Sequence, residues 1–114
     1  MTTGLPSDYA ERVLDLVARI PSGRVLAYGD VAGLLGEGGP RQVGRVMARF
    51  GGGVPWWRVL RASGEPAEGL ADEALPRLRS EGVPLRPGGT RVDMAAARWD
   101  GRSPREVRRG RVVG

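Results

Sequence analysis

Prolines and glycines divide the first half of this chain into three helix-length stretches, and this punctuation constrains its fold more than any other feature. Between Ser7, a residue type that caps helix N-termini, and Pro21, apolar residues recur every three or four positions. After Pro21, "RVLAY" indicates a short extended piece. "GDVAGLLG" then predicts a shorter helix that ends at Gly36, and Pro40 suits the first turn of a third helix. The chain is therefore expected to begin with three helices, the last two joined by a tight glycine-rich connector.

The third stretch, "PRQVGRVMARF", has two different faces. Its apolar positions fall at i, i+3, i+4 and i+7 and must face the core: Val43, Val46, Met47 and Phe50. The opposite stripe alternates arginines with small residues: Arg41, Gly44, Arg45 and Ala48. Small residues let a helix backbone approach a bulky partner, while guanidinium groups contact phosphates or bases. An ordinary solvated stripe explains the same pattern, so this helix alone leaves both interpretations open.

The remainder of the chain predicts little further regular structure. "WWRVLRASGEPA" indicates a hairpin or wing turning at Ser63 and Gly64, and "ADEALPRLRSEGV" a charged helix interrupted or started near Pro76. "PLRPGGTRVDM" is a last extended segment. The fold class is therefore mainly α with a small β-hairpin, in a winged helix-turn-helix arrangement. We expect one domain over residues 1–100 and an Arg-rich, disordered tail over residues 101–114, which adds affinity for phosphates.

Composition favours a polyanionic partner and excludes several kinds of chemistry. All 18 basic residues are arginines, against 13 acids, which gives a net charge of +5. A charged, solubilising surface is the alternative explanation. The chain has no cysteine and no histidine, which removes thiol nucleophiles, imidazole bases and nearly all zinc sites. No metal and no cofactor are expected.

The sequence also predicts a location. The N-terminal "MTTGLPSDYAERV" lacks the charged start and apolar run of a signal peptide, and no stretch approaches the ~20 apolar residues of a membrane span. We expect a cytoplasmic, nucleoid-associated monomer that has no membrane partner.

Four motifs carry a resemblance to a known family. "IPSGRVLAYGDVAGLLG", "RQVGRVM", "PWWRVLRASG" and "LRSEGV" occur in the order and spacing of the C-terminal domain of O6-alkylguanine-DNA alkyltransferases, over roughly residues 8 to 99. In those enzymes a Pro-Cys-His-Arg-Val motif contains the cysteine that accepts the alkyl group. Here residues 55–59 read "PWWRV". The chain thus resembles the alkyltransferase-like proteins, which have tryptophan or alanine in place of the cysteine, bind alkylated DNA without repairing it, and mark the lesion for nucleotide excision repair.

The resemblance implies a pocket that receives an alkylated guanine rotated out of the duplex. Trp56 would lie at the pocket floor, where an indole cannot accept an alkyl group but offers a flat wall to the base. Base–aromatic stacking is worth ~1–3 kcal/mol, comparable to the few kcal/mol that base flipping costs. The implied pocket residues are Tyr28, Met47, Val54, Pro55, Trp56 and Arg58. Val54 and Pro55 would place backbone polar groups at the guanine edge, and Arg58 would brace the loop by hydrogen bonds.

The resemblance also implies how the helix-turn-helix meets DNA. Its recognition helix would enter the minor groove, where Arg41 replaces the extruded nucleotide in the base stack. Tyr28 would crowd the phosphate of the target nucleotide, and Gly44 would permit close approach of the helix. The implied DNA-binding residues are Tyr28, Arg41, Gln42, Gly44, Arg45 and Ala48.

Other residues near the motif have more open assignments. Trp57 is expected to be structural, packed behind the pocket, and Trp99 to anchor the C-terminal part of the core. The loop after the wing forms a lid in the family, and in alkyltransferase-like proteins it often carries a basic residue. This sequence has Glu65 and Glu68 there instead. Either another arginine, with Arg61 as the candidate, fills that role, or the range of alkyl groups that the pocket tolerates differs.

Two other classes of function remain open at this stage. A winged-helix transcription regulator or nucleoid-type protein with a vestigial pocket would also be basic and Arg-rich. A hydrolase would need a general base, and the candidates are the carboxylates Asp30 and Asp93, which are better explained as helix caps and arginine partners. We expect a non-enzymatic protein whose partners are double-stranded DNA containing O6-alkylguanine and nucleotide excision repair proteins.

Overall fold

The computed structural model describes residues 7–102. Nearly all of the tail predicted to be disordered therefore lies outside the described residues. The elements in chain order are α1 (Asp8–Arg19), β1 (Leu26–Ala27), α2 (Tyr28–Leu35), α3 (Pro40–Phe50), β2 (Val59–Leu60), α4 (Ala71–Ser80) and α5 (Met94–Ala97). Single 3-10 turns cover Gly51–Gly53 and Trp56–Arg58. The mainly helical class predicted from the sequence is confirmed.

The three N-terminal helices form where the apolar spacing predicts them. Ser7 caps α1, because its hydroxyl oxygen accepts a hydrogen bond from the backbone N–H of Ala10 at 3.1 Å. Helix α2 ends at Gly36, whose φ of 73° is in the left-handed region that favours glycine. Pro40 is the first residue of α3, and that helix buries Val43 and Val46. The connector between α2 and α3 therefore has the helix-turn-helix form expected.

The buried residues form two clusters on either side of the short sheet. The larger cluster joins the apolar faces of α1, α2 and α3 and includes Trp99, which is 6% exposed. The indole N–H of Trp99 donates to the backbone carbonyl of Arg102 at 2.8 Å, so its expected role as a C-terminal core anchor is confirmed. The second cluster packs α4 and the C-terminal segment against the sheet through Val25, Leu60, Leu78, Val83, Val92 and Ala97.

The predicted hairpin is wrong in its pairing. Strand β2 pairs in parallel with β1, which lies far upstream in the chain, and the chain does not fold back on itself as an antiparallel ribbon. The predicted turn does form, since Gly64 N–H donates to the Arg61 carbonyl at 2.8 Å. The segment that follows the turn contains Pro66 and Gly69, which are poor strand formers. Gly64 instead bonds across to Val92, whose N–H donates to the Gly64 carbonyl at 2.9 Å.

Helix α4 runs through Pro76 without a break, whereas the sequence suggested an interruption or a start there. A proline at this position removes one hydrogen bond, the one its N–H would have donated to the Asp72 carbonyl. Asp72 is exposed, so water can satisfy that carbonyl. Ala74 and Leu78 face the core and hold the helix in place.

Candidate nucleic-acid interface and base pocket

A cavity of about 490 Å³ opens between α3, the Trp56–Arg58 turn, the loop over residues 66–70, and α4. Its size lies within the ~300–1,000 Å³ typical of small-molecule sites. Of the six predicted pocket residues, three line it: Tyr28, Met47 and Trp56. Small residues of α3, Gly44 and Ala48, form part of the same wall.

Two indole rings form one corner of the cavity. The ring centroids of Trp56 and Trp57 lie 5.7 Å apart and their planes meet at 87°, an edge-to-face pair. Both side chains line the cavity and both are only partly buried. A planar base that enters can therefore stack on one ring while its edge meets the other.

Val54 and Pro55, which were expected at the edge of the base, do not line the cavity. The Val54 carbonyl accepts from the Trp56 N–H at 2.7 Å, and the Pro55 carbonyl accepts from the Arg58 N–H at 3.0 Å. Val54 also packs against the larger core cluster. These backbone acceptors are occupied because the turn that presents the two tryptophans uses them itself.

Arg58 is likewise outside the cavity, and the prediction that it braces the loop is confirmed. Its guanidinium forms a two-pronged ion pair with Glu81, with Nε to Oε1 at 3.0 Å and Nη2 to Oε2 at 2.7 Å. The remaining nitrogen, Nη1, donates to the Ile20 carbonyl at 2.8 Å at the end of α1. The side chains of this pair are 15% and 12% exposed, so the contact is largely shielded from water.

Glu81 is the acceptor that holds several parts of the site together. Besides Arg58 it accepts from the indole N–H of Trp57 at 2.9 Å and from the Gly23 N–H at 3.2 Å. Burial raises the pKa of this carboxyl, but the hydrogen bonds from Arg58, Trp57 and Gly23 outweigh burial and bring the pKa below its ordinary value. The structural role expected for Trp57 is confirmed, although its ring also lines the cavity.

The outward stripe of α3 is exposed as its spacing predicted. Arg41, Arg45 and Ala48 are exposed, and a Cβ placed on Gly44 would meet no atom within 4 Å. Within residues 7–102, neither arginine of the stripe takes part in an ion pair. Because Gly44 and Ala48 also line the cavity, the basic stripe and the cavity share an edge.

Gln42 is placed differently from the other predicted DNA-binding residues. Its side-chain oxygen accepts from the Gly39 N–H at 3.0 Å and caps the start of α3. This oxygen is therefore engaged at the helix N-terminus that carries Arg41, and the amide NH₂ of Gln42 donates to no group within residues 7–102.

Tyr28 is the first residue of α2 and its side chain lines the cavity. Burial raises the pKa of its phenol, and the positive charge of Arg61 lowers it by a smaller amount. The start of α2 is fixed by Asp30, whose Oδ2 accepts from the Ala27 N–H at 2.8 Å and from Arg98 Nε at 2.9 Å. The explanation of Asp30 as a helix cap and arginine partner is thus confirmed.

The loop expected to act as a lid has its charged residues arranged in an unexpected way. Glu65 accepts from the Ser63 hydroxyl at 2.9 Å, and Arg61 donates through Nε to the Pro66 carbonyl at 3.0 Å, so both brace the loop. Neither residue lines the cavity, whereas Glu68 does. Arg61 thus does not line the cavity as the basic residue expected at the lid, although its positive charge acts on Tyr28 of the cavity wall.

The basic residue at the cavity is Arg77 of α4, which the sequence did not single out. Its guanidinium carbon lies 4.7 Å from the ring centroid of Trp57 and 5.8 Å from that of Trp56. In the sequence Arg77 belongs to a charged helix and looks like any solvated residue. Its position over the two indoles arises only from tertiary packing of α4 against the turn.

The part of the chain that the structure describes contains neither a cluster of metal ligands nor a membrane-spanning helix. Over residues 7–102 no three histidine, cysteine or acidic residues come together as metal ligands. No helix there has the length and apolar character needed to cross a membrane. Asp93, the other candidate base, caps α5 through a hydrogen bond from the Ala96 N–H at 3.3 Å.

Comparison with known proteins identifies the family. Residues 8–83 match the model of the DNA-binding domain of 6-O-methylguanine DNA methyltransferase. The chain belongs to this family. The resemblance seen in the four sequence motifs is thereby confirmed, and the match ends just beyond Glu81.

Individual relatives of this methyltransferase-family chain include both curated proteins and solved structures. The DNA base-flipping protein of Escherichia coli strain K12 is 38% identical over 99 residues, which cover 81% of this chain and 74% of that protein. S. pombe Atl1, solved in complex with damaged DNA containing O6-carboxymethylguanine, superposes with a TM-score of 0.71 at 27% identity and covers 84% of this chain and 99% of its own. Mycobacterium tuberculosis OGT in complex with DNA gives a TM-score of 0.58 at 25% identity, over 84% of this chain and 55% of its own.

Proposed function

We propose that this protein is a non-enzymatic sensor of O6-alkylguanine in duplex DNA. The observation that carries the proposal is the cavity itself: an indole, Trp56, lies on its wall at the motif position where the alkyl-accepting cysteine is expected, and the cavity adjoins the exposed arginine stripe of α3. The whole chain contains no cysteine and no histidine, so neither the acceptor nor its usual base is available.

In this proposal α3 docks in the minor groove through its stripe of arginines and small residues. The open space at Gly44 lets the helix backbone approach the sugar–phosphate walls of a groove only ~6 Å wide. Arg41, exposed at the start of α3, takes the place of the rotated nucleotide in the base stack. Tyr28, on the cavity wall, crowds the phosphate of that nucleotide and favours its rotation.

The cavity then holds the rotated base by stacking. An indole face contributes ~1–3 kcal/mol per stacked base, which offsets much of the few kcal/mol that extrusion costs. A guanine paired normally pays more to leave the duplex than an alkylated one, whose pairing is already weakened. The preference for a lesion therefore comes from both the pocket and the damaged pair.

Because the alkyl group has no acceptor in the protein, the lesion stays in the DNA. We infer that the bound complex marks the site for nucleotide excision repair. The E. coli relative is named as a base-flipping protein, and S. pombe Atl1 was solved on damaged DNA; both support a role in holding a rotated nucleotide.

The test compares binding to two short duplexes of the same sequence, one of which has O6-methylguanine in place of one guanine. Binding is measured at matched salt by the fluorescence anisotropy of a label on the DNA. Tighter binding to the lesion duplex is expected, with the protein mass unchanged after incubation. Equal affinities would overturn the proposal. If selection from a pool of undamaged random duplexes yields a strong consensus, the chain is a sequence-specific regulator instead.

A further inference from the structure

Arg77 occupies a position at the cavity that the proposed function does not use. The two indoles meet at 87°, and the guanidinium of Arg77 lies over both, 4.7 Å from the Trp57 centroid and 5.8 Å from the Trp56 centroid. Both distances are within the ~6 Å reach of a cation–π contact. The cation is thus held beside the ring against which the modified base would stack.

The hydrogen-bond donors of Arg77 remain available to a ligand. Two other arginines near the cavity are engaged, Arg58 with Glu81 and Arg61 through Nε with the Pro66 carbonyl, whereas Arg41 and Arg45 of the adjoining stripe form no ion pair within residues 7–102. The Arg77 side chain forms no ion pair and no hydrogen bond with that part of the protein. A guanidinium stacked face-on against one ring keeps the N–H groups in its plane able to donate, and since the two indoles are nearly perpendicular it can stack face-on against one of them at a time.

Two carboxylates also line the cavity and oppose the charge of Arg77. Glu68 lies in the loop and Glu73 lies one helical turn before Arg77, and both residues are exposed. Neither pairs with Arg77 within 4.0 Å in the described residues, so the cation is not neutralised by direct contact. Arg77 is itself exposed, so water screens its attraction to any carboxylate that does not touch it, and only a ligand group in hydrogen-bond contact with the guanidinium interacts with it directly.

We propose that Arg77 makes the pocket selective for O6 substituents that carry a carboxylate, over neutral substituents of the same shape. A carboxylate accepts two parallel N–H···O bonds from a guanidinium, and this geometry is the one that arginine presents best. An amide of the same size offers one acceptor and places an NH₂ against the other donor. This inference rests on the proposed function, since it requires the modified base to enter the cavity.

The experiment uses four duplexes of one sequence, containing guanine, O6-methylguanine, O6-carboxymethylguanine or the neutral O6-carbamoylmethylguanine at one position. Binding to the carboxymethyl duplex is expected to be about two- to fivefold tighter than to the carbamoylmethyl duplex at matched salt, the order of one ion pair at an exposed arginine. Arg77→Gln should bring this ratio close to one. Arg77→Lys, which keeps the charge but loses the bidentate geometry, should retain part of the ratio.

Arg79→Gln is the matched control. It removes the same charge from the same helix, but Arg79 donates to the Gly89 carbonyl at 3.0 Å and does not line the cavity, so the ratio should stay as in the unmodified protein. A ratio near one in the unmodified protein, or a ratio that survives Arg77→Gln, would overturn the role of Arg77. If the O6-methylguanine duplex binds no better than the guanine duplex, the proposed function itself fails, and the two failures are therefore distinct.

Discussion

Replacing Glu81 with glutamine tests the hydrogen-bond network that presents the two tryptophans. The carboxylate accepts from the Arg58 guanidinium through both oxygens, from the Trp57 indole and from the Gly23 N–H. Glutamine keeps the shape but has one acceptor oxygen and one NH₂ group. Whichever way the amide is turned, its NH₂ faces a donor, so at least one donor of the network loses its partner.

The expected cost follows from the burial of these groups. A hydrogen bond to a charged group contributes about 1.5–3 kcal/mol. A buried donor left without an acceptor also destabilises the fold, because its lost hydrogen bonds to water are not replaced. The side chains of Arg58 and Glu81 are 15% and 12% exposed, so water compensates only in part. We expect Glu81→Gln to lower the free energy of unfolding by about 2–4 kcal/mol, a large share of the ~5–15 kcal/mol of a small domain.

The measurement is urea unfolding followed by circular dichroism, with Glu37→Gln as the control. Glu37 also pairs with an arginine, Arg12, but the side chains of that pair are 46% and 53% exposed. Exposed pairs contribute about 0–1 kcal/mol, so the control should change stability little. The reasoning about the network is refuted if Glu81→Gln and Glu37→Gln destabilise the protein equally.

The same network predicts a dependence of stability on pH. The folded-state pKa of Glu81 lies below the ordinary value of 4.5, so its contribution to stability is present above pH 4.5 and is lost as pH falls through the folded-state pKa. Unfolding measured at steps below pH 5 should show this loss in the unmodified protein and a shallower loss in Glu81→Gln. Parallel curves for the two proteins would contradict it.

Three further predictions concern the DNA-binding face. Arg41→Ala should weaken binding to the lesion duplex by about 1–3 kcal/mol in a binding titration. Arg49→Ala makes the same charge change at the far end of α3 and should leave the preference for the lesion unchanged in the same titration. Gly44→Ala should raise the free energy of unfolding by about 0.5–1 kcal/mol, because its Cβ meets no atom, yet weaken DNA binding by blocking close approach of the helix. Trp56→Ala should reduce the preference for the lesion duplex by the ~1–3 kcal/mol of one stacked base and leave binding to plain duplex nearly unchanged.

Local patterns in the sequence are sufficient to predict the helices and their faces. The spacing in α3 places Val43 and Val46 inside and Arg41 and Arg45 outside, because a helix of fixed period turns apolar positions to one side. The extended segments at Leu26–Ala27 and Val59–Leu60 are also visible locally, but their pairing with each other is not. Parallel pairing with β1 depends on how α2 and α3 pack between the two strands, and nothing in the residues around the turn at Gly64 reports that packing.

Some residues of the candidate site could likewise be predicted from the sequence, and others could not. The positions of Tyr28, Met47 and Trp56 at one cavity are consistent with what the motifs imply, since these residues lie in or beside recognisable stretches. Arg77 and Glu81 escape prediction because they sit on or just after a charged helix whose pattern is the same as that of any solvated helix. Only the tertiary contact between α4 and the tryptophan turn distinguishes them from their neighbours.

The three tryptophans of the chain show why the cavity is better explained by a ligand than by stability. Trp99 is 6% exposed and anchors the core as a large aromatic ring normally does in a small domain. Trp56 and Trp57 remain partly exposed, and an ion pair with Glu81 holds the turn in a form that keeps both rings at the cavity. The folded state would be more stable if those two rings were fully buried, because burial of apolar surface lowers its free energy. The chain instead uses a shielded charge network to present two indoles beside a basic helix, and this surface fits the planar, rotated base that the proposed function requires.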